Sequence, residues 1–196
     1  MIHTSELVRK LIHLFNLIIP FTYLFYLNTK LDALIFLVPI TLFAFLIEYL
    51  RNNSINVKSF FEKYLLSMLR SHEIRGGYTG ATWVFIASTL SIAIFPKEIA
   101  VMSLIFMSVG DTTAGLIGRK FGRLNFHNKT LEGALSGFII CLIIGLIMDL
   151  NLADIIIIFG ALSAMIIELI PTSFDDNLTI PLFSGTIMYV LSIVVI

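Results

Sequence analysis

Residues 31–50 read LDALIFLVPITLFAFLIEYL. A helix of that length rises about 30 Å, which is the thickness of a bilayer's hydrocarbon core. Its charges, Asp32 and Glu48, stand near its two ends. A water-soluble fold would have to wrap this segment on every side, whereas lipid accepts it directly.

The pattern repeats outward from there. Hydrophobic segments run roughly over Val8–Leu27, Leu31–Leu50, Gly80–Phe95, Ile99–Ile117, Leu131–Leu150, Ala153–Ile170 and Leu178–Ile196, about seven in all. The chain is 58% hydrophobic and 13% charged over 196 residues, with a mean hydropathy of +0.96. That is too little charge to clothe a soluble domain. The third segment is short and follows Gly76 and Gly77, so a tilted or irregular entry is expected. No repeat or low-complexity stretch is evident. The expected fold is all-α: a polytopic membrane helical bundle forming a single transmembrane domain over residues 1–196. Arg9 and Lys10 resemble the basic flank of a leader peptide, but no small-residue cleavage site follows near Tyr26–Lys30, so the first segment reads as a retained helix.

Between the second and third segments, Phe60, Phe61, Tyr64, Leu65, Met68 and Leu69 recur at helical spacing among Lys58, Glu62, Lys63 and Arg70. This predicts an amphipathic helix over Ile55–Arg70 lying in the membrane interface. A helix packed on the bundle is the other reading.

Charge is balanced at 13 basic and 13 acidic residues, so only its distribution informs. Arg9 and Lys10, then Arg51 to Arg75, then Arg119, Lys120, Arg123 and Lys129 fall on one side of the predicted bundle. The other side holds Lys30 and Lys97. Loops rich in Lys and Arg stay in the cytoplasm, so the N-terminus and this basic side are expected there, in a multi-pass integral membrane protein.

Ionisable residues inside such segments are costly and mark function. Asp111 lies late in the fourth segment, within GDTTAGLIGRKFGR from Gly110. The glycines suit close helix packing; the carboxylate, with Arg119, Lys120 and Arg123 just beyond, does not follow from packing. Next comes Lys129-Thr130-Leu131-Glu132-Gly133, an ammonium beside a hydroxyl at a helix start, which suits phosphate. Thr130 reads equally as an N-cap. Glu168 ends the sixth segment, and Asp175-Asp176-Asn177 precede the seventh. Carboxylates facing a basic cluster suit a Mg²⁺–nucleotide site. Glu6, Arg9, Lys10 and His13 share one helix face by spacing, and Glu48 with Arg51 forms a further candidate pair. His3, His72 and His127 have no partners at metal-ligand spacing, so no zinc site is expected. Cys141 is the lone cysteine, which excludes a disulfide framework.

Four stretches carry a resemblance: ELVRKLIH from Glu6, GDTTAGLIGRKFG from Gly110, KTLEG from Lys129 and ELIPTSFDDNLTIPLFSG from Glu168. Together, over nearly the whole chain, they resemble the dolichol kinase, phytol kinase and CTP-dependent diacylglycerol kinase family, which is distantly similar to phosphatidate cytidylyltransferases. The C-terminal signature of those cytidylyltransferases is absent here. The resemblance implies a catalytic domain that transfers the CTP γ-phosphoryl group to a membrane lipid alcohol, with Mg²⁺. It implies Asp111 as metal ligand or base toward the hydroxyl, and Lys129 with Arg119 or Lys120 on the triphosphate. Glu132 would orient Lys129 or bind metal, and Glu168, Asp175 and Asp176 would complete the metal site or activate the hydroxyl. Arg9, Lys10 and His13 would border the phosphates, with Gly110, Thr112 and Thr130 in the same nucleotide-binding set. No nucleic-acid partner is expected. A cytidylyltransferase, and a transporter or scaffold using the same carboxylates, are the other readings.

Overall fold

The computed structural model describes residues 4–195, and within them the side chains of residues 4–7, Ser67 and Val195 are left aside. His3, Ile196 and the side chain of Glu6 therefore lie outside the described residues. The described chain is almost entirely helical. In order come α1 (Thr4–Phe15), α2 (Ile18–Phe25), α3 (Lys30–Asn53), α4 (Ile55–Tyr64), α5 (Ser71–Ile74), α6 (Gly80–Ile94), α7 (Lys97–Ile105), α8 (Asp111–Phe121), α9 (Leu131–Met148), α10 (Asp154–Leu169) and α11 (Asp176–Val195).

Among the described residues, five helical spans are long and apolar enough to cross a membrane: Val8–Phe25, Lys30–Asn53, Lys97–Phe121, Leu131–Met148 and Asp176–Val194. The expected third and sixth segments form helices of 15 and 16 residues, α6 and α10, which rise only about 22–24 Å. Large side chains such as Ile35, Phe36, Leu42, Phe43 and Ile147 cover the outside of the bundle, where only lipid suits them.

One span sits inside the others. The most apolar 18-residue stretch of Lys97–Phe121 is 72% buried, against 22–33% for those of the other four. α2, α6, α9, α10 and α11 pack around it. Small residues permit the close approach: a methyl added at Gly133 would stand 2.6 Å from the Ala114 carbonyl oxygen and 3.1 Å from Gly118 Cα, so α8 and α9 cross almost in backbone contact. This central helix changes pitch between α7 and α8. Phe106–Gly110 form a π-helical turn, and Asp111 is the first residue beyond it.

The sequence expectation is corrected at three further places. The first segment is broken at Asn16–Leu17, between α1 and α2, where amides bond three residues back to His13 and Leu14. Pro20 explains the break, because its ring cannot donate to the Asn16 carbonyl and crowds it. The helix expected over Ile55–Arg70 stops at Tyr64; Leu65 leaves helical geometry at φ −121°, ψ −1°, and a single 3₁₀ turn follows over Leu66–Met68. Finally, the loop after α8 holds a small antiparallel hairpin, β1 (Asn125–Phe126) with β2 (Lys129–Thr130). His127, at φ 54° in its turn, supplies the left-handed residue that so tight a reversal requires.

Candidate active site

The hairpin delivers Lys129, and the π turn delivers Asp111. Thr130 caps α9 by accepting the Gly133 amide at 3.2 Å, which fixes the chain just after Lys129. The Lys129 ammonium then donates to Asp176 Oδ2 at 2.9 Å and to the Glu168 carbonyl, with Glu168 Oε1 at 3.3 Å. Burial pulls the Lys129 pKa down, but Asp176 and Glu168 pull it up more strongly, and the ammonium titrates above the ordinary lysine range. Lys129 thus joins the hairpin to the end of α10 and the start of α11.

Lys10 of α1 reaches across to α8 and donates to Asp111 Oδ2 at 2.7 Å and to the Asp111 carbonyl at 2.9 Å. Gly115 makes room for it, since a methyl there would stand 2.7 Å from Lys10 Nζ. His13 Nε2 lies 3.2 Å from the Met107 carbonyl and 3.5 Å from Asp111 Oδ2. A carbonyl only accepts, so Nε2 carries the hydrogen. Met107 belongs to the π turn, a device common at functional sites.

Arg70 is the residue the sequence reading passed over, counting it only among the loop charges. It donates to Asp175 Oδ2 at 2.8 Å. Burial lowers its pKa, yet Asp175 and the acids beyond it raise it on balance. No sequence signal marks it, because its partner lies 105 positions away.

These groups line two adjoining cavities. A polar one of about 440 Å³ is walled by Arg9, Lys10, Asp111, Arg119, Lys129 and Asp176, with Arg70, Thr130 and Glu168 among the rest. A mainly apolar one of about 370 Å³ lies between α1, α3, the turn after α4, and α6, walled by Ile12, Ala44, Ile47, Leu65, Leu69 and Phe85 among others. Arg9, Lys10, Arg70 and Asp111 line both.

Several expected site residues are placed elsewhere. Gly110 is a packing position, where a methyl would meet Met165 Cε at 2.5 Å and Cys141 Sγ at 2.9 Å. Thr112 is buried in the helix contact and does not line the polar cavity. Lys120 turns outward, its ammonium 5.0 Å from the Phe121 ring centre, because a helix places successive residues about 100° apart. His13 faces the apolar cavity rather than the polar one. Glu132 accepts from the Arg123 and Leu124 amides at 3.0 Å, closing the hairpin loop rather than orienting Lys129. Asp175 caps α11 through the Asn177 amide and pairs with Arg70, so it is committed to structure. Asp111, Glu168, Asp175 and Asp176 do not converge as a metal cluster; among the described residues no group of three His, Cys, Asp or Glu could hold an ion. Cations separate them instead: Lys10 holds Asp111, Arg70 holds Asp175, and Lys129 is shared by Glu168 and Asp176.

Glu48 and Arg51 are joined at 2.6 Å. Glu48 Oε1 also accepts from the Thr79 amide and the Thr79 and Thr82 hydroxyls at 2.7–2.8 Å. Arg51 donates to the Glu73 carbonyl at 2.9 Å. This pair clamps the end of α3 to the entry of α6 and so holds one wall of the apolar cavity.

The geometry defines a class: a helical integral membrane protein in which a cation-lined polar cavity and an apolar cavity share one carboxylate. Comparison with known proteins supplies the particular group. The chain is 27% identical over 166 residues to the CTP-dependent diacylglycerol kinase 1 of Schizosaccharomyces pombe, covering 76% of each chain. It is 30% identical over 133 residues to a probable chloroplastic phytol kinase 1 of Oryza sativa, covering 57% of this chain and 42% of that one. An uncharacterised protein of Rickettsia prowazekii is 26% identical over 186 residues, 90% of both chains. The chain is thus similar to proteins named as CTP-dependent diacylglycerol kinases and probable phytol kinases. No family model matches it. No solved structure matches it either.

Proposed function

We propose that the protein is a CTP-dependent lipid-alcohol kinase. The observation that carries this reading is Asp111 in the common wall of a cation-lined cavity and an apolar one. An aqueous triphosphate and a lipid hydroxyl can meet only at such a junction. The apolar cavity takes the first carbons of the alcohol, and its tail leaves into the bilayer. The polar cavity takes the phosphates, held by Lys129, Arg9, Arg119 and Arg70.

In the reaction, the lipid oxygen forms a bond to the γ-phosphorus. The bond from that phosphorus to the β–γ bridging oxygen breaks, and CDP leaves with the electron pair. The hydroxyl proton passes to Asp111, whose Oδ2 is fixed by Lys10 and His13, so that Oδ1 receives it. Phosphoryl transfer asks chiefly for such positioning and for charge neutralisation. A Mg²⁺ ion entering with the nucleotide would neutralise phosphate charge. Glu168 and Asp176, which converge on the Lys129 ammonium, match the one or two carboxylates Mg²⁺ takes beside phosphate oxygens. The Lys- and Arg-rich loops support a cytoplasmic position for this site.

The test is incubation of the purified protein in lipid with γ-labelled CTP and a panel of polyprenol, phytol and diacylglycerol. Label in the lipid phase is expected, and the labelled lipid names the acceptor. Lipid labelled only from α-labelled CTP given phosphatidate would replace this reading with nucleotidyl transfer.

A further inference from the structure

Beyond Lys129 the polar cavity continues into another of about 510 Å³. Arg70, Asn128, Lys129 and Asp176 line both, so they form the passage between them. The new cavity is built differently. Tyr78 and Trp83 wall one part of it, their ring centres 5.7 Å apart and inclined at 60°. Phe174 and His127 contribute rings from the α10–α11 loop and the hairpin turn. Phe174 is 62% exposed and Tyr78 39%, in a region rich in charge. The apolar cavity adjoins the polar one at Arg9, Lys10, Arg70 and Asp111 and shares only Arg70 with this one, so these rings stand apart from the lipid's cavity.

Aromatic walls joined by a cationic passage to a phosphate-sized cavity suit a flat heterocycle carrying a phosphate chain. Rings stack on the base, and cations hold the chain. We propose that this cavity receives the base and ribose of the nucleoside triphosphate, whose phosphates run past Arg70 and Lys129 toward Asp111. The inference rests on the kinase reading above. Trp83 is its base-stacking residue, and Arg70, which lines all three cavities, guides the chain between them.

Trp83 is the only tryptophan in the chain, so its fluorescence reports on this cavity alone. The experiment titrates the full chain in lipid nanodiscs with CTP–Mg²⁺ and, separately, with tripolyphosphate–Mg²⁺, while equilibrium dialysis measures binding of each. CTP should quench Trp83 saturably at the concentration where dialysis shows binding. Tripolyphosphate should compete with CTP and leave the emission unchanged. Trp83→Ala should raise the KM for CTP about tenfold with little change in kcat, leave tripolyphosphate inhibition unaltered, and be rescued by Trp83→Phe. CTP that binds in dialysis while Trp83 stays silent would overturn the base cavity and leave the kinase reading intact. A Trp83→Ala protein that loses CTP and tripolyphosphate affinity equally would make Trp83 a structural anchor, which also overturns it. If CTP does not bind at all, both readings fall.

Discussion

The two ends of the bundle use the same residue types in opposite ways. At one end Lys30 donates to the Ala93 carbonyl at 2.9 Å, and Lys97 to the Leu27 carbonyl at 2.8 Å while lying 5.2 Å from the Tyr23 ring. Asp32 closes a capping box with Thr29. These three charges each answer a helix end. At the other end Lys10, Arg70 and Lys129 pair with Asp111, Asp175 and Asp176 beside open cavities. A lysine on a carbonyl completes the backbone and has no further task. A lysine on a carboxylate beside a cavity can be shared with an incoming anion. Charge count orients the two ends; the partner of each charge separates their tasks.

That contrast can be broken at its strongest point first. Asp111→Asn should lower lipid phosphorylation by about 10²–10⁴-fold, measured as label transferred to lipid, with helicity and melting followed by circular dichroism. Near-native turnover in a folded Asp111→Asn protein would remove the shared carboxylate from the chemistry. Lys129→Met should follow, with a loss of roughly 10²-fold and weaker nucleotide binding in dialysis.

Lys129 also sharpens the contrast through pH. Its folded pKa is raised, so its stabilising contribution is complete below the unfolded lysine value of about 10.4. It is lost as pH climbs through the higher folded value. Melting temperature should therefore show no loss from this group at neutral pH and a decline in the alkaline range. Lys129→Met should lack that portion of the decline; an unchanged alkaline profile would show that the ion pair contributes nothing to stability.

A control on packing comes next. Gly133→Ala forces a methyl against the Ala114 carbonyl, and should destabilise by about 1–3 kcal/mol in detergent denaturation. The smallest effect belongs to the opposite end. Lys97→Met should cost under about 1 kcal/mol and leave kinase turnover unchanged. A large activity loss there would erase the distinction between the ends.

The bundle itself was readable from sequence because hydropathy and length are local properties. Residues 31–50 announce a spanning helix without any knowledge of their neighbours. Asp111 and Lys129 were readable for a related reason: a charge among apolar residues, or beside a hydroxyl at a helix start, is conspicuous in place. Arg70 was not, since its meaning comes from Asp175 and from cavities assembled by distant elements. Gly110 and Thr112 share Asp111's motif but point elsewhere around the helix, which a linear motif does not record. Glu132 looked catalytic through its neighbours in KTLEG, yet its carboxylate turns back to the amides of Arg123 and Leu124. The break before Pro20 was available to a stricter reading of proline. The π turn was not, because no residue type between Phe106 and Gly110 dictates it.

That turn ties the protein's history to its geometry. Deleting one residue between Phe106 and Gly110 would leave hydropathy, length and motif almost untouched. It would also let the helix relax to a regular pitch and withdraw the Met107 carbonyl from His13 Nε2, loosening the pair that holds Asp111 Oδ2 in the wall between the cavities. Lineages that keep this chemistry should therefore tolerate swaps of apolar side chains in the central helix and purge single-codon gains or losses there, while gaps accumulate freely in the loops.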